Sequence, residues 1–216
     1  MKIILLPVLL LAFVCLKAQT KDNYLHPEFD SIIADHRTIA ILPFDVTINL
    51  RPLEEKYMKP GGLESLQKYE GLAIQKALDA YLFKQKLKKE FKIEVQDTDS
   101  TNRLLREKGW TRDSLIQKSS DVVCAHLGVD AVISGTFTVN RPVSKDVSKA
   151  FMIATGGFHL NTISGDCIFY VHNGGKGELL WRYKKRFAYG PTTNPDQMIN
   201  LIMKGAARKL PYEDQK

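Results

Sequence analysis

Thr38-Ile-Ala-Ile-Leu-Pro-Phe-Asp-Val46 is apolar at nearly every position. A strand with one wet face alternates apolar and polar side chains, whereas one with apolar residues on both faces has to be covered on both. A chain with such a strand needs helices on either side of a sheet. Pro43 brings no N–H to a ladder, so pairing should weaken there and the strand should end near it.

The stretches that follow supply those helices. Residues 49–62, with Pro52, Pro60 and Gly61-Gly62, read as a loop. The spacing predicts a helix over Leu63–Lys89, with Leu66, Ala73, Ala77 and Ala80 in one row and Ile74, Leu78, Tyr81 and Leu82 widening it. Lys84, Lys86, Lys88 and Lys89 suit its negative end. Phe91–Val95 alternates as a short strand. Asp97-Thr-Asp-Ser100 caps a helix over Thr101–Lys108 that Gly109 ends. Thr111-Arg-Asp-Ser114 opens another through Leu127, closed by Gly128, and Asp130–Val139 is the third strand. Gly135 within it suggests a bulge or a close backbone approach.

Residues 140–160 carry little signal beyond a turn or two of helix at Val147–Ala154. A hairpin follows, Thr162–His172 and Glu178–Tyr189 around Asn173-Gly-Gly-Lys-Gly177. Its second arm separates by period two. Leu179, Trp181, Tyr183 and Phe187 fall on one face, broken by Lys185, and Leu180, Arg182, Lys184 and Arg186 on the other. A last helix starts at Asn194-Pro195, shows Met198, Ile199, Ile202, Met203, Ala206 and Leu210 as its apolar stripe, and stops at Pro211. The expected organisation is a signal peptide over 1–18, a surface leader over 19–36, one α/β domain over 37–211 and a tail over 212–216.

The N-terminus reads as an address. Lys2 precedes an apolar run from Ile3 to Leu16, too short to span a bilayer and without the polar face of a buried helix. The expectation is export, with cleavage after Ala18 and no transmembrane span thereafter. Val14 ahead of Cys15 is too bulky for lipoprotein processing, so anchoring at Cys15 is disfavoured. Lys2 and Lys17 leave with the peptide, taking the net charge from +7 to +5. That is short of a nucleic-acid footprint. Cys124 and Cys167 remain, and both read as small buried hydrophobes with free thiols.

Motifs for chemistry are missing from the sequence. Asn173-Gly-Gly-Lys-Gly-Glu has the glycines of a phosphate loop but leads into a strand. His26, His36, His126, His159 and His172 show no ligand spacing, Asp30, Asp35 and His36 make only a weak hard-metal cluster, and Cys124 and His126 point to different faces of one helix. No catalytic residue, cofactor or metal is assigned. The feature that stands out is Arg182, Lys184 and Arg186, three cations about 6.6–6.8 Å apart on one strand face. As a partner-binding stripe they suit an acidic protein patch, an anionic lipid surface or an anionic glycan; the plainer reading is a solvated face with gatekeeping charges on an edge strand.

The order of these strings carries a resemblance. Ile39-Ala-Ile-Leu-Pro-Phe44, then Leu127-Gly-Val-Asp-Ala-Val-Ile-Ser-Gly135, then Gly177-Glu-Leu-Leu-Trp181 and the helix into Leu210-Pro211 resemble the TolB N-terminal-like envelope proteins. These include the curli-secretion protein, LpoB-type synthase activators and GNA-type lipoproteins. The resemblance spans roughly residues 37–211. It implies an α/β fold with a single mixed sheet packed with helices, ending in a β-hairpin plus helix. It also implies a periplasmic or secreted location in a Gram-negative envelope, and a non-enzymatic interaction or assembly role with another envelope protein as partner. Two departures are visible: many relatives are lipoproteins, and residues 140–160 are too short for the paired membrane strands of the curli channel. Two rival expectations stand beside it. One is peripheral binding of anionic lipid or glycan through the basic stripe; the other is a small hydrolase or ligand-binding enzyme whose site is assembled from scattered residues.

Overall fold

A computed structural model describes residues 23–50, 56–57, 59–88, 93–140, 163–189 and 195–212. The signal-like segment, Cys15, His159 and the helical turn read at Val147–Ala154 lie outside the described residues. The chain runs β1 (Asn23–Leu25), α1 (Phe29–Ile33), β2 (Thr38–Ile41), β3 (Asp45–Asn49), α2 (Gly62–Leu87), β4 (Glu94–Val95), α3 (Thr98–Glu107) and α4 (Arg112–Ile116). It continues through α5 (Ser120–Leu127), β5 (Ala131–Asn140), β6 (Ile163–Asn173), β7 (Leu179–Tyr189) and α6 (Pro195–Ala207). Seven strands make one mixed sheet in the order β1-β7-β6-β5-β2-β4, with β3 also on β5. The pairs of β2 with β4 and β5, and of β3 with β5, are parallel; the β5-β6-β7-β1 half is antiparallel. This is the α/β fold with a single mixed sheet that the resemblance implied.

Pro43 breaks the first strand as its missing N–H requires. Ile41 faces Ile133 and Asp45 faces Thr136, so Leu42, Pro43 and Phe44 stand against Ser134 and Gly135 alone. That three-against-two count is a bulge. Two glycines let the fold close over it. A Cβ on Gly135 would sit 2.4 Å from the Phe44 ring, and one on Gly71 would sit 2.3 Å from the Phe44 carbonyl oxygen. The Phe44 ring therefore lies over the bare backbone of β5, edge-on to Phe169 at 5.4 Å. Helix α2 also touches the bulge with its own main chain, the Phe44 N–H donating to the Gly71 carbonyl at 3.2 Å.

The sheet separates two cores, as a strand apolar on both faces demands. On one side Ile39, Ile41, Val46, Ile133, Phe137, Phe169 and Phe187 pack with Ile74, Leu78 and Leu82 of α2 and Met198, Ile202 and Met203 of α6. On the other, Ala40, Leu42 and Val132 pack with Leu105, Val123, Cys124 and Leu127.

Three local expectations are corrected. The buried stripe of α2 is Gly71, Ile74, Gln75, Leu78, Leu82 and Gln85, while Ala73 and Ala77 lie at its margin and Ala80 is exposed. The helix expected from Thr111 to Leu127 is two, α4 and α5. Gln117-Lys-Ser119 has no apolar side chain to bury, and extended Ser119 opens the second helix as its cap residue. Leu180 is fully buried rather than outward, because the β6–β7 register slips between Val171 and His172 and turns it in with Trp181.

Candidate functional site

Arg182, Lys184 and Arg186 lie on one face of β7, beyond the Leu180 slip, so strict alternation orders them. The rows across the antiparallel strands are Arg182–Tyr170–Ser134, Lys184–Ile168–Thr136 and Arg186–Asp166–Thr138. Asp45 and Thr47 of β3 continue the second and third of these rows, and Asn49 pairs with Asn140 in the row beyond. The helices α3–α5 cover the same face only near Ala40, Leu42 and Val132. At the margin of that cover Arg112 pairs with Asp45 and donates to Gln67 at 3.3 Å. The remaining rows are half-buried or exposed, and polar apart from Ile168 and the ring of Tyr170.

Charge on this face is unbalanced. Oδ1 of Asp166 stands 3.8 Å from the Lys184 ammonium and 3.5 Å from the Arg186 guanidinium. These are ion-pair distances with no hydrogen bond in them, and that same oxygen is buried with no hydrogen-bond partner. One carboxylate thus serves two cations, and Arg182 adds a third. Arg186 presents most of its side chain to solvent, 76% exposed.

The segment ahead of the domain reaches this site. β1 pairs antiparallel with β7, Tyr24 opposite Arg182 and Leu25 opposite Trp181, and the His26 N–H donates to the Leu180 carbonyl at 2.8 Å. Among the described residues β7 is therefore covered over Trp181–Tyr183, and the gatekeeping reading of an edge strand does not hold there. On the opposite face Trp181 and Tyr183 stack at 5.7 Å, and Lys185 reaches across to Gly205 of α6.

A second polar assembly joins the two chain ends and the hairpin turn. His36 contacts the Tyr212 hydroxyl through Nδ1 at 2.9 Å and the Asn173 carbonyl oxygen through Nε2 at 3.1 Å. Asn173 donates its amide to Glu178 at 3.1 Å, so its oxygen faces His36 and the proton belongs on Nε2. Burial lifts the Tyr212 phenol well above its ordinary range, which keeps it a donor. Beside it Asp130 accepts from the Arg37 and Thr38 amides at 2.7 and 2.8 Å. Burial alone would raise the Asp130 carboxyl; these amides and the nearby His36 and Arg37 outweigh it and hold it below the ordinary value. Both His36 nitrogens are engaged and Asp30 and Asp35 are exposed, so the hard-metal cluster does not assemble. Among the described residues no group of three His, Cys, Asp or Glu is placed to hold a metal ion. Sequence spacing alone carried no sign of this network, since its members come from residues 36, 173, 178 and 212.

The other singled-out residues hold structure. His126 contacts the Leu104 carbonyl at 3.0 Å and packs on Trp110, tying α5 to α3. His172 lies beside Tyr170, and burial holds its pKa below the usual imidazole value. Cys124 and Cys167 are both free and buried. They lie in cores on opposite sides of the sheet and are not placed to bond to each other. Burial pushes each thiol up to about 12, so neither is a nucleophile near neutral pH.

Among the described residues no helix is long and apolar enough to cross a membrane. No family model and no curated protein matches the chain. Solved structures similar to it include the lipoprotein GNA1162 from Neisseria meningitidis, at 11% identity and a TM-score of 0.44, covering 80% of this chain and 96% of that one. The LpoB C-terminal domain from Escherichia coli is similar at 12% identity and 0.35, over 76% and 94%. The PelC dodecamer from Paraburkholderia phytofirmans is similar at 7% identity and 0.39, over 79% and 85%. The first two are among the groups that the order of sequence motifs resembles.

Proposed function

We propose that this chain is exported to the cell envelope and recognises another envelope protein through the open, basic half of its sheet, without chemistry of its own. The observation that carries the reading is the set of three rows on β5, β6 and β7, in which Lys184 and Arg186 share the carboxylate of Asp166 and Arg182 adds a third cation opposite Tyr170. A flat, polar, cationic surface of this kind favours encounter with acidic surfaces and sets orientation. The apolar run Ile3–Leu16 behind Lys2 supports export. The two buried thiols, with pKa values of about 12, speak against thiol catalysis.

The test is photo-crosslinking in the native envelope, with a photoreactive residue at Lys184 and a control at the exposed Glu107 of α3. The expected result is a covalent adduct with an envelope protein from Lys184 and none from Glu107. Full-length chain residing in the cytosol, or turnover of a substrate by purified protein, overturns the reading. The rival lipid reading is checked on anionic vesicles. If reversing the charge of Arg182, Lys184 and Arg186 leaves sedimentation unchanged, lipid docking through this face is eliminated.

A further inference from the structure

The partner's contribution can be narrowed from the edge of β7, on the premise that the basic face is indeed the recognition surface. In an antiparallel ladder alternate residues turn their N–H and C=O toward a given neighbour. The Leu180 carbonyl accepts from His26 on the β1 side, and Tyr24 stands opposite Arg182 in the same register. Leu180 and Arg182 therefore aim their main chain at β1, and Lys184, Arg186 and Ala188 are the next members of that set. Lys185 belongs to the other set, its carbonyl receiving the Cys167 thiol at 3.4 Å from β6. β7 runs on to Tyr189, yet among the described residues its pairing on the β1 side stops at Tyr183. Past Tyr183 the strand thus turns the backbone donors and acceptors of Lys184 and Arg186, whose side chains are cationic, toward the β1 side.

We infer that this edge receives an extended acidic segment of the partner protein, added to the sheet as a further strand continuing the line of β1. β1 shows that the edge accepts extended chain. Main-chain bonds would supply affinity, and acidic side chains at alternate positions would meet Lys184 and Arg186 on the open face. The same charges exclude a second copy of β7, which would set cation against cation.

The probe is a fluorescein-labelled peptide of about eight residues with alternating Glu and Val, titrated by anisotropy against residues 19–216. A saturable complex is expected. N-methylation of every second amide should weaken it about tenfold or more in one phase and little in the other, because one edge of the peptide faces β7 and the other faces water. Lys184→Glu with Arg186→Glu, with an unchanged circular dichroism spectrum, should cost a similar factor. Equal binding of both methylated peptides reduces the interaction to charge alone and overturns strand addition. Binding to phosphatidylglycerol vesicles with none to the peptide overturns it as well. So does a chain starting at Asn23 that binds the peptide when residues 19–216 do not, since the edge is then already taken. An envelope protein crosslinked from Lys184, with no peptide binding, sinks this inference and leaves the proposed function standing. Failure to crosslink any envelope protein sinks the proposed function itself.

Discussion

The contact between α2 and α3 rests on two buried side-chain amides. Gln75 Nε2 donates to the Ile41 carbonyl at 2.6 Å and to Asn102 Oδ1 at 3.2 Å, and Asn102 Nδ2 donates back to Gln75 Oε1 at 2.9 Å. Gln75 is fully buried and Asn102 nearly so, 0% and 8% exposed. Gln75→Leu keeps the volume but deletes three hydrogen bonds at about 1 kcal/mol each, and it orphans the Ile41 carbonyl and the Asn102 amide. The expected loss is about 3–5 kcal/mol. Asn102→Leu deletes two and leaves Gln75 Oε1 bare, for about 2–3 kcal/mol. In the double variant both amides are gone and only the Ile41 carbonyl is orphaned, so the combined loss should fall short of the sum by about 1–3 kcal/mol. Urea unfolding at pH 7 reads these values as midpoint shifts at constant slope. For a domain of this size Gln75→Leu should lower Tm by about 10 °C, from roughly 2–4 °C per kcal/mol. Additive losses, or a neutral Gln75→Leu, would refute the reasoning that these two side chains act as one unit.

Gly165→Ala should be far costlier than Gly109→Ala. A Cβ at Gly165 would lie 1.9 Å from the Thr138 carbonyl oxygen and 2.6 Å from Phe187, while Gly109 has open space and bears only the left-handed cost of about 1–2 kcal/mol; thermal melts that rank the two equally contradict the close β5–β6 approach. His172 is held below its unfolded value near 6.5, so the unfolded chain takes up that proton first. Stability is then complete above about pH 6.5 and falls as the pH drops toward the folded value. His172→Gln should flatten the stability profile just below that point and leave the acid loss from Asp97, Asp121, Asp130 and Glu178, which begins only below about pH 4.5. Cys124 and Cys167 should resist a thiol reagent in the native state and react together on denaturation, with no disulfide on a non-reducing gel. Fast native labelling of either would show that its core opens.

Elements whose own residues bury themselves were legible in the chain. The apolar stretch Thr38–Val46, the α6 stripe from Met198 to Leu210 and the cap at Asp97, which accepts from the Ser100 amide at 2.8 Å, each follow from local chemistry. β1 was not legible, because its three residues are all exposed and its strand character is borrowed from β7. Gln75 was hidden for a related reason. A polar residue in an apolar stripe reads as its margin, and only Asn102, on another helix, makes its burial affordable.

The basic stripe shows where periodicity holds and where it slips. Period two orders residues within an unbroken ladder but cannot announce an inserted residue, and each bulge resets which face the next side chain takes. The Leu42–Phe44 bulge is signalled by Pro43, since a missing N–H is visible in the sequence. The slip beside Leu180 has no such mark. It sets Leu180 with Trp181, and Leu179 on the face of Tyr170 and Arg182, the reverse of what strict alternation assigns to both. Arg182, Lys184 and Arg186 follow the slip and share an unbroken register with Asp166–Tyr170, so their placement survives it. Asp166 escaped notice because its position opposite Arg186 depends on the turn at Asn173–Gly177 and on that same slip. The carboxylate that limits the stripe's charge is therefore a property of hairpin register, and removing the slip would set Asp166 opposite Lys185, away from both cations.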